Sequence, residues 1–346
     1  MSTDTHPAIP TTAAPTPPRR SKRRWSRAQK AIVWLLGLAA LGVFAVVAFL
    51  AWTESKIDRI PDTELVSLAA ISPASSGEPI NFLVVGTDDR SAIPDDWDLG
   101  YYGRFTGKRA DVIMIAHLVP GERIQILSIP RDLKVSIPGN GTNRINAAYV
   151  VGGPDLLVQV LQDELGIPIH HYVEIGFGGV GRIVDSLGGV TLDFPEPGRD
   201  QKSGFRIDAG THTLGGEQAV AYARSRHYEV LRDGRWKSTP GGDIARTQRQ
   251  QQIIVQLFDQ ITSPSSAFNL PAFLPTVADQ ITADEGLTLG LMADLGQVAL
   301  TLKTGDIERT TLPVKNTRGS DGRAYVEPTP EAQAVIDAFL AGDPYP

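Results

Sequence analysis

Apolar residues along the chain follow two different spacings, which predict alternating strands and helices. Branched apolar residues dominate short runs at 80–85, 111–118 and 123–129, as expected for strands. Pro120-Gly121-Glu122 separates the last two runs and predicts a hairpin. At 156–165 the leucines and valines recur at helical spacing, which predicts a helix opened by Gly153-Pro154-Asp155. The alternation predicts a layered α/β domain.

The same alternation continues to the C-terminus. Further strands are predicted at 171–175, 189–194 and 307–314, with further helices around 183–187 and at 270–281, 288–303 and 329–340. Asp243 is the predicted N-cap of another helix, which carries Arg246, Arg249 and Gln250 near its start. Free backbone N–H groups and the helix dipole favour an anion at that end.

One segment differs in kind from the rest. Ala31 to Trp52 carry no charge over a length that, at about 1.5 Å per residue, crosses a hydrocarbon core about 30 Å thick. Basic residues precede this segment and few follow it, so the positive-inside rule places the N-terminus in the cytoplasm. We expect a single-pass protein of the cell membrane: a disordered basic cytoplasmic tail at 1–30, a transmembrane helix at 31–52, a stalk at 53–79 and an extracytoplasmic domain at 80–346.

The charge of the chain divides at the predicted membrane segment. Residues 1–30 hold seven basic residues and one acidic residue, a net of +6, in a chain whose net charge is −6 at pH 7, so the remainder carries −12. Nucleic acid is therefore not expected as a partner of the exterior domain, because such binding depends on a basic surface. The chain has no cysteine, which excludes disulfides and thiolate chemistry.

Against this acidic background, six arginines and one lysine lie within residues 219–254. A guanidinium presents a planar fork of donors that matches phosphate two oxygens at a time, so the preference for arginine indicates a phosphate-binding pocket. Arg224 and Arg226 are two positions apart, and in an extended segment both would face the same side. A solvated run of surface charge remains the alternative.

Three short motifs add polar residues at predicted strand ends. They are GTDDR at 86–90, RAD at 109–111 and SIPRD at 128–132. Asp88 and Asp111 can converge on one edge of the sheet and hold Mg²⁺, which bridges carboxylates to substrate phosphate. Arg109 and Arg131 would add guanidinium groups to the same phosphate. The alternatives are that the aspartates form turns and that each arginine makes a surface salt bridge.

Other functional motifs are weak or absent. Residues 176–181 match G-x-G-x-x-G after a strand, but the polar strand before them and the lack of a second βαβ unit argue against a dinucleotide-binding fold. His170 and His171 are adjacent and no His-x-x-x-His pair occurs, so zinc is not expected. The sequence has no G-x-S-x-G elbow and no P-loop motif.

Taken in order, the anchor and six motifs resemble the LytR-CpsA-Psr family of cell-envelope proteins over about residues 80–260. The motifs are the three above and NRINAAYVVGG (143–153), YARSRH (222–227) and DIARTQRQQQ (243–252). The resemblance implies a central mixed β-sheet flanked by helices, in an α-β-α sandwich. It also implies a phosphotransferase that moves a glycopolymer from a polyprenyl (undecaprenyl or decaprenyl) pyrophosphate carrier to peptidoglycan, forming a phosphodiester link in cell-wall assembly.

The resemblance also implies the residues of the site. Mg²⁺ (or Mn²⁺) would be held by Asp88 and Asp111. The implied catalytic residues are Arg109, Arg131, Arg224, Arg226, Asp243 and Arg246. The implied pyrophosphate-binding residues are Arg90, Arg109, Arg131, Arg144, Arg224, Arg226, Arg246, Arg249 and Gln250. The lipid-linked glycan, peptidoglycan and the membrane are the expected partners, with the lipid in a hydrophobic tunnel. A carboxylate such as Asp243, or metal-bound solvent, is the candidate general base.

Two other functions remain open from the residues: a polyprenyl-pyrophosphate hydrolase, with water as the acceptor, and a non-catalytic regulator that binds envelope polymer. Two insertions depart from the family pattern. The first, at 91–108, carries Trp97, Tyr101 and Tyr102, which are expected to stack on sugar rings. The second, at 227–242, is expected at the mouth of the site, where either insertion could recognise acceptor or donor. It carries Arg232, Arg235 and Lys237, which are assigned to this loop and not to the pyrophosphate site.

Overall fold

A computed structural model describes residues 45, 48–69, 79–89, 93–94, 96–99, 108–119, 122–262, 270–288, 290–292 and 306–346. The predicted cytoplasmic tail and most of the predicted membrane segment lie outside these residues; of 31–52, residues 45 and 48–52 are described and are helical. Within the part of the chain that is described, no helix combines the length and apolarity needed to cross a membrane.

A seven-stranded mixed sheet forms the centre of the domain. Its strands are β1 (Asp58–Ile60), β2 (Ile80–Thr87), β3 (Ala110–Val119), β4 (Arg123–Ser128), β7 (His171–Gly176), β14 (Ile281–Asp284) and β15 (Ile307–Thr311). They stand in the order β1-β14-β7-β2-β3-β4-β15. The pairs β1–β14, β7–β2 and β4–β15 are parallel and the other pairs are antiparallel. The predicted hairpin of β3 and β4 is therefore confirmed.

Short hairpins decorate this sheet. Their strands are β5 (Lys134–Ile137), β6 (Gly141–Arg144), β8 (Val190–Phe194), β9 (Gly198–Asp200), β10 (Phe205–Ile207), β11 (Gly210–Leu214), β12 (Glu229–Arg232), β13 (Arg235–Ser238), β16 (Val314–Arg318) and β17 (Ala324–Pro328). Only β8 was predicted. Most of the others have three to five residues, too few for an alternation of polar and apolar positions to be recognised.

Helices cover both faces of the sheet. They are α1 (Val66–Ala69), α2 (Ile145–Leu165), α3 (Phe177–Ser186), α4 (Gly216–Arg224), α5 (Gly242–Thr262), α6 (Leu270–Gln280) and α7 (Glu331–Ala341). Val85 packs in one core with Leu161 of α2 and Phe339 of α7. Its neighbour Val84 faces the other way, toward α3 and α5, because successive strand residues alternate in direction. The layers are therefore helix, sheet and helix, as the fold class predicts.

Part of the predicted stalk belongs to the folded domain. Residues 58–60 pair in parallel with β14 at the edge of the central sheet. Leu65 directly precedes α1 and Leu68 lies in it. Both are buried in the main core, at 1% and 5% exposure. The domain therefore includes residues well before Ile80. A three-residue edge strand carries too little pattern to be distinguished from a linker.

Helix α2 begins eight residues before the predicted start at Gly153. Two non-helical residues, Gly152 (φ −132°) and Gly153 (φ 66°, ψ −156°), divide it, and Pro154 opens the second part. A positive φ suits glycine, and proline is well tolerated in the first turn of a helix. The Gly-Gly-Pro sequence thus marks an internal break, and the unpredicted first part carries Tyr149 into the core.

A buried histidine ties α7 to the sheet. His117 on β3 is 3% exposed, and its ring lies 5.0 Å from that of Phe339. Its Nδ1 is 2.6 Å from Oδ1 of Asn81, whose amide nitrogen donates to the Pro168 carbonyl, so Nδ1 carries the hydrogen. Nε2 has no hydrogen-bond partner among the described residues. Burial, together with the nearby His170, lowers the pKa of His117 to about 4.

We expect the protein to lose stability in mild acid because of this histidine. Its folded-state pKa lies below the ordinary value of 6.5, so the unfolded chain binds the proton first, and stability falls as the pH drops from about 6.5 toward 4. Between pH 7 and pH 5 the loss should be about 2 kcal/mol in the free energy of unfolding. Denaturant unfolding of the parent and of His117→Gln measures it. The same pH slope in both proteins would contradict the assignment.

Candidate functional site

A β-bulge places Asp111 at the centre of the candidate site. Gly86 of β2 pairs with Val112 of β3, but the next residue, Thr87, pairs with Ala110, so Asp111 is the extra residue of β3. A bulge turns a side chain away from the strict alternation of a strand. As a result, Asp111 and Val112 line the same cavity although they are neighbours in sequence.

Three of the predicted arginines converge on Asp111. Arg131 donates from Nη1 to Oδ1 of Asp111 at 2.5 Å, and Nη2 of Arg226 lies 4.0 Å from the same oxygen. Arg246, which is 4% exposed, donates from Nη2 to the Asp111 carbonyl at 3.4 Å. Arg226 and Arg246 are thus brought to Asp111 from more than 100 positions away, and together with Arg131 they place three guanidinium groups, which favour anions, at one residue.

Asp88, the second predicted metal ligand, is hydrogen-bonded to Arg109, the residue directly before β3. The Asp88 amide donates to the Arg109 carbonyl at 3.2 Å, and the Arg109 amide donates to Oδ1 of Asp88 at 2.8 Å. Arg109 is half-buried beside it. Among the described residues, no group of three or more His, Cys, Asp or Glu side chains could hold a metal. Asp88 and Asp111 each offer carboxylate oxygens, the donor type of Mg²⁺, which commonly takes one or two carboxylates and completes its shell with water and phosphate.

The sequence predicted that Arg224 and Arg226 share one extended segment, but the structure does not place them in one. Arg224 is the last residue of α4, and the chain becomes extended only at Ser225 (φ −61°, ψ 122°). Arg224 donates from Nη1 to the Leu99 carbonyl at 2.9 Å, and its guanidinium lies 5.6 Å from the centre of the Phe177 ring. Among the described contacts, Arg224 therefore meets Leu99 and Phe177, whereas Arg226 meets Asp111.

A buried aspartate that the sequence did not reveal holds this turn. Oδ2 of Asp200 accepts hydrogen bonds from the Ser225 hydroxyl (2.7 Å) and from the amides of Arg226 (2.9 Å) and His227 (2.7 Å). Its other oxygen accepts from the Lys202 amide at 2.9 Å. Burial alone would raise the pKa of Asp200, but these donors outweigh it and lower the pKa. Asp200 lies 26 positions before Arg226, in a three-residue strand without a motif.

Residues of helix α5 also donate hydrogen bonds to the Ser225 turn and to the end of α4. Arg249 is 8% exposed, donates to the Ser225 carbonyl and lies over the rings of Tyr222 and Tyr228. Burial lowers its pKa. Gln250 donates to the Ala223 carbonyl at 3.2 Å and lines the candidate site. Arg249 lines a different polar cavity, so its described contacts support the Ser225 turn.

The remaining predicted site residues lie at the margin or outside the description. Arg144 pairs with Asp132 at 3.3 Å and donates to the Ala324 carbonyl at 3.1 Å, so it reaches the site through Asp132. Arg90 lies outside the described residues. Helix α5 begins at Gly242, so Asp243 lies in its first turn and is not the N-cap. The Asp243 side chain also lies outside the description.

Two adjoining cavities divide the site by chemistry. The first, of about 360 Å³, contains Asp111, Arg131 and Arg246 in its wall. The second, of about 160 Å³, is almost entirely apolar and lies between the sheet and helices α3, α4 and α5. Val112, Met114 and Gln250 line both cavities. An anionic head group and an apolar chain of one ligand could therefore occupy them together.

The second insertion forms a hairpin in which Arg232 and Lys237 pair with nearby carboxylates. It contains β12 and β13, and β12 also pairs with β9. Arg232 makes bidentate hydrogen bonds to Glu196 at 2.6–2.8 Å, and Lys237 pairs with Asp233 at 2.8 Å. Arg235 is exposed on the same hairpin. None of the three lines the cavity that contains Asp111, as predicted.

The first insertion is described only in part, since Tyr101 and Tyr102 lie outside the described residues. Trp97 packs against Gly181 of α3, where a side-chain carbon on the glycine would come within 2.1 Å of the ring. Trp97 therefore contributes to packing while remaining partly exposed, and its stacking on a sugar stays a prediction. Gly179 is similarly close to Gln280, so the G-x-G-x-x-G glycines permit close approach of neighbouring residues.

The LytR_cpsA_psr family model matches residues 49–339. The "Probable cell wall biosynthesis protein LcpB" of Corynebacterium glutamicum is 32% identical over 285 residues, which cover 81% of this chain and 64% of LcpB. This chain thus spans less than two thirds of that relative. The "Polyisoprenyl-teichoic acid--peptidoglycan teichoic acid transferase TagU" of Enterococcus faecalis is 30% identical over 269 residues, which cover 75% of this chain and 80% of TagU.

Solved structures share the fold. A LytR-Csp2A-Psr enzyme from Actinomyces oris superposes with a TM-score of 0.63 at 32% identity, over 78% of this chain and 92% of that one. TagT bound to LIIa-WTA superposes with a TM-score of 0.59 at 24% identity, over 78% of this chain and 93% of TagT, a likeness that concerns the fold alone. The mixed sheet flanked by helices is therefore confirmed.

Proposed function

Since this chain belongs to the LytR_cpsA_psr family, we propose that it transfers a glycopolymer from a polyprenyl pyrophosphate carrier to peptidoglycan. TagU is named for the transfer of teichoic acid to peptidoglycan and LcpB for cell-wall biosynthesis. The proposed donor has two parts that differ in chemistry, a charged pyrophosphate and a long apolar lipid. The two adjoining cavities match these two parts.

The convergence of Arg131, Arg226 and Arg246 on Asp111 carries the proposal. Phosphoryl transfer asks a protein mainly to position its substrates and to stabilise the charge on oxygens in the transition state. A hydroxyl of peptidoglycan would attack the sugar-side phosphorus. The bond from that phosphorus to the bridging oxygen breaks, polyprenyl phosphate leaves with the bonding electrons, and the proton of the hydroxyl passes to a base or to the leaving phosphate.

A magnesium ion held by Asp88 and Asp111 would supply positive charge to the pyrophosphate oxygens. The chain's own residues do the remaining work in this proposal. Arg131 and Arg246 bind phosphate oxygens, and Gln250 lies where the polar and apolar cavities meet. The Ser225 turn, held by Asp200, orients Arg226 toward Asp111.

We further propose that the domain acts outside the cytoplasm, anchored by the segment at 31–52 with the N-terminus inside. A polyprenyl carrier is embedded in a lipid bilayer, so an enzyme anchored in the same membrane meets it at high effective concentration. Reporter fusions at either end of the chain would test this orientation, and an N-terminus on the outer side would contradict it.

The deciding experiment incubates the purified chain with a lipid-linked glycan and nascent peptidoglycan, with and without Mg²⁺, beside Asp88→Ala and Arg226→Ala. A covalent glycan–peptidoglycan product that requires both residues supports transfer. Release of free glycan phosphate would instead indicate the hydrolase. Unaltered donor in every reaction would overturn both enzymatic functions.

Filling the apolar cavity should weaken binding of long-chain donors. Ala223 lines this cavity and is 8% exposed. We expect Ala223→Met to raise the KM for a full-length polyprenyl donor about ten-fold, which corresponds to the exclusion of about two CH₂ groups. The KM for a donor with two isoprene units should stay unchanged. Steady-state kinetics with both donors measures the difference.

The matched control is Ala334→Met, the same substitution at an exposed position of α7. It should leave the KM for both donors unchanged. An equal rise in KM for the short and the long donor in Ala223→Met would indicate a distorted site and would contradict the placement of the lipid in this cavity.

A further inference from the structure

An acidic pocket of about 270 Å³ lies beside the arginine site, at the same end of the central sheet. The residues that line it include Asp58, Thr87, Asp89, Lys108, Glu174 and Asp279. Asp89 directly follows Asp88, and Lys108 directly precedes Arg109. The acidic pocket therefore adjoins two predicted site residues, Asp88 directly after β2 and Arg109 directly before β3.

The floor of the acidic pocket is built by Glu174, whose side chain is 7% exposed. Its Oε2 accepts hydrogen bonds from the hydroxyls of Tyr149 (2.7 Å) and Tyr172 (2.8 Å). Burial and the Glu174 charge raise the pKa of both tyrosines, so both remain donors. Two such bonds to one buried oxygen hold the carboxylate in place.

The hydroxyl of Thr87, in the wall of the acidic pocket, lacks a polar partner among the described residues. The Thr87 side chain is fully buried and lines the acidic pocket, yet its Oγ1 has no hydrogen-bond partner among the described residues. Leaving a buried hydroxyl without a partner costs free energy, and such groups in native proteins call for a specific explanation. Because Oγ1 is closed off from solvent, a ligand hydroxyl would supply the missing bond after a small movement of the pocket wall.

Charge defines the class of that ligand. Four carboxylates line the acidic pocket, and among the described residues of its lining one ammonium faces them, that of Lys108, 3.0 Å from Asp89 and 3.4 Å from Glu174. Outside the lining, Lys56 lies 3.6 Å from Asp279, so the carboxylates still outnumber the ammonium groups. Phosphate would be repelled, because like charges in a shared pocket raise its free energy. A second metal ion between Asp89 and Glu174 would meet the Lys108 ammonium. Neutral hydroxyl groups fit best, since they donate to carboxylates without adding charge.

We propose that the acidic pocket binds the carbohydrate acceptor, with sugar hydroxyls hydrogen-bonded to its carboxylates and to Thr87. This inference rests on the proposed function, which requires a second substrate beside the pyrophosphate. The arginine site and the acidic pocket then sort the two substrates by charge. The attacking hydroxyl enters from the side of Asp89, while the phosphates stay with Arg131 and Arg226.

The test measures binding of one probe, glycan fragments released from peptidoglycan by a muramidase, to the full chain without donor. We expect Thr87→Val and the double variant Asp58→Asn/Asp279→Asn each to raise the Kd about ten-fold in titration calorimetry. Thr87→Val should not lower the thermal midpoint, because the buried hydroxyl it removes has no partner among the described residues. Asp163→Asn, an exposed aspartate on α2, is the control and should bind as the parent does.

Kinetics then separate this inference from the proposed function. Both pocket variants should raise the KM for acceptor about ten-fold and leave the KM for the lipid-linked donor unchanged. If the parent transfers glycopolymer and the variants match it in Kd and KM, the acidic pocket is not the acceptor site. A parent that does not bind the fragments also overturns it. If the fragments bind as expected but no product forms, only the transferase function fails.

Discussion

Replacing Arg131 with alanine should lower the rate of glycopolymer transfer by about 10²–10³-fold. Removing one preorganised donor from a developing oxyanion typically has an effect of this size. Arg131 is 17% exposed and bonds to Asp111 at 2.5 Å, so its guanidinium is already oriented before the donor binds. The effect should fall mainly on kcat, because the charge it stabilises is largest in the transition state. Initial rates of covalent product formation measure it.

The matched control is Arg232→Ala in the inserted hairpin. Arg232 also bonds to a carboxylate, that of Glu196, but its side chain is 56% exposed and lies away from the site. Its removal should change the rate less than two-fold, since such surface pairs contribute little. Arg131→Lys should recover only part of the rate, because an ammonium keeps the charge but not the planar fork. Equal losses in Arg131→Ala and Arg232→Ala would contradict the site.

Replacing Asp200 with asparagine should lower the free energy of unfolding by about 4 kcal/mol, the scale of breaking a buried charged network. Asp200 is 1% exposed and accepts from the Ser225 hydroxyl and the Arg226 and His227 amides through one oxygen. In the asparagine variant, an amide nitrogen in place of that oxygen would itself be a donor and could not accept these hydrogen bonds. We also expect the transfer rate to fall, because Arg226 belongs to this turn and its orientation depends on it. Urea unfolding at pH 7 measures the loss.

The pH dependence of that loss distinguishes charge from shape. The folded-state pKa of Asp200 is lowered, so its stabilising contribution is present above the ordinary aspartate pKa of about 3.9 and disappears as the pH falls through the folded value. The gap in stability between the parent and Asp200→Asn should therefore be constant from pH 5 to 7 and shrink below pH 4. Asp193→Asn, at an exposed position, should show no gap at any pH. A gap that persists in acid would refute the charge argument.

Much of the candidate site could be predicted from local sequence. Asp88, Asp111 and Arg131 lie at the ends of strands whose apolar runs are long enough to be recognised, and strand ends meet at a sheet edge. Of the three arginines in the block that were assigned to the site, Arg226 and Arg246 contact Asp111, whereas Arg224 donates to the Leu99 carbonyl. These assignments depended on periodicity and on the order of motifs, both of which are properties of the chain itself.

The contacts that orient these residues could not be predicted. Asp200 reaches the Ser225 turn across 25 positions, and Tyr149 reaches Glu174 from the part of α2 that lies before the Gly-Gly break. Such pairs carry no spacing rule, because they depend on how separate elements pack. The same holds for the short strands from β9 to β13, which are stabilised by pairing with neighbours more than by their own pattern.

The chain by itself determined which side chains are available and roughly where each strand and helix lies, because hydrophobic periodicity is a local property. Only the tertiary structure decided their direction. The bulge at Asp111 turns that carboxylate to the face of Val112, and the end of α4 separates Arg224 from Arg226. A one-residue shift in a strand reverses the face on which a side chain lies. The tertiary packing thereby divides the strand end between an arginine site and an acidic pocket.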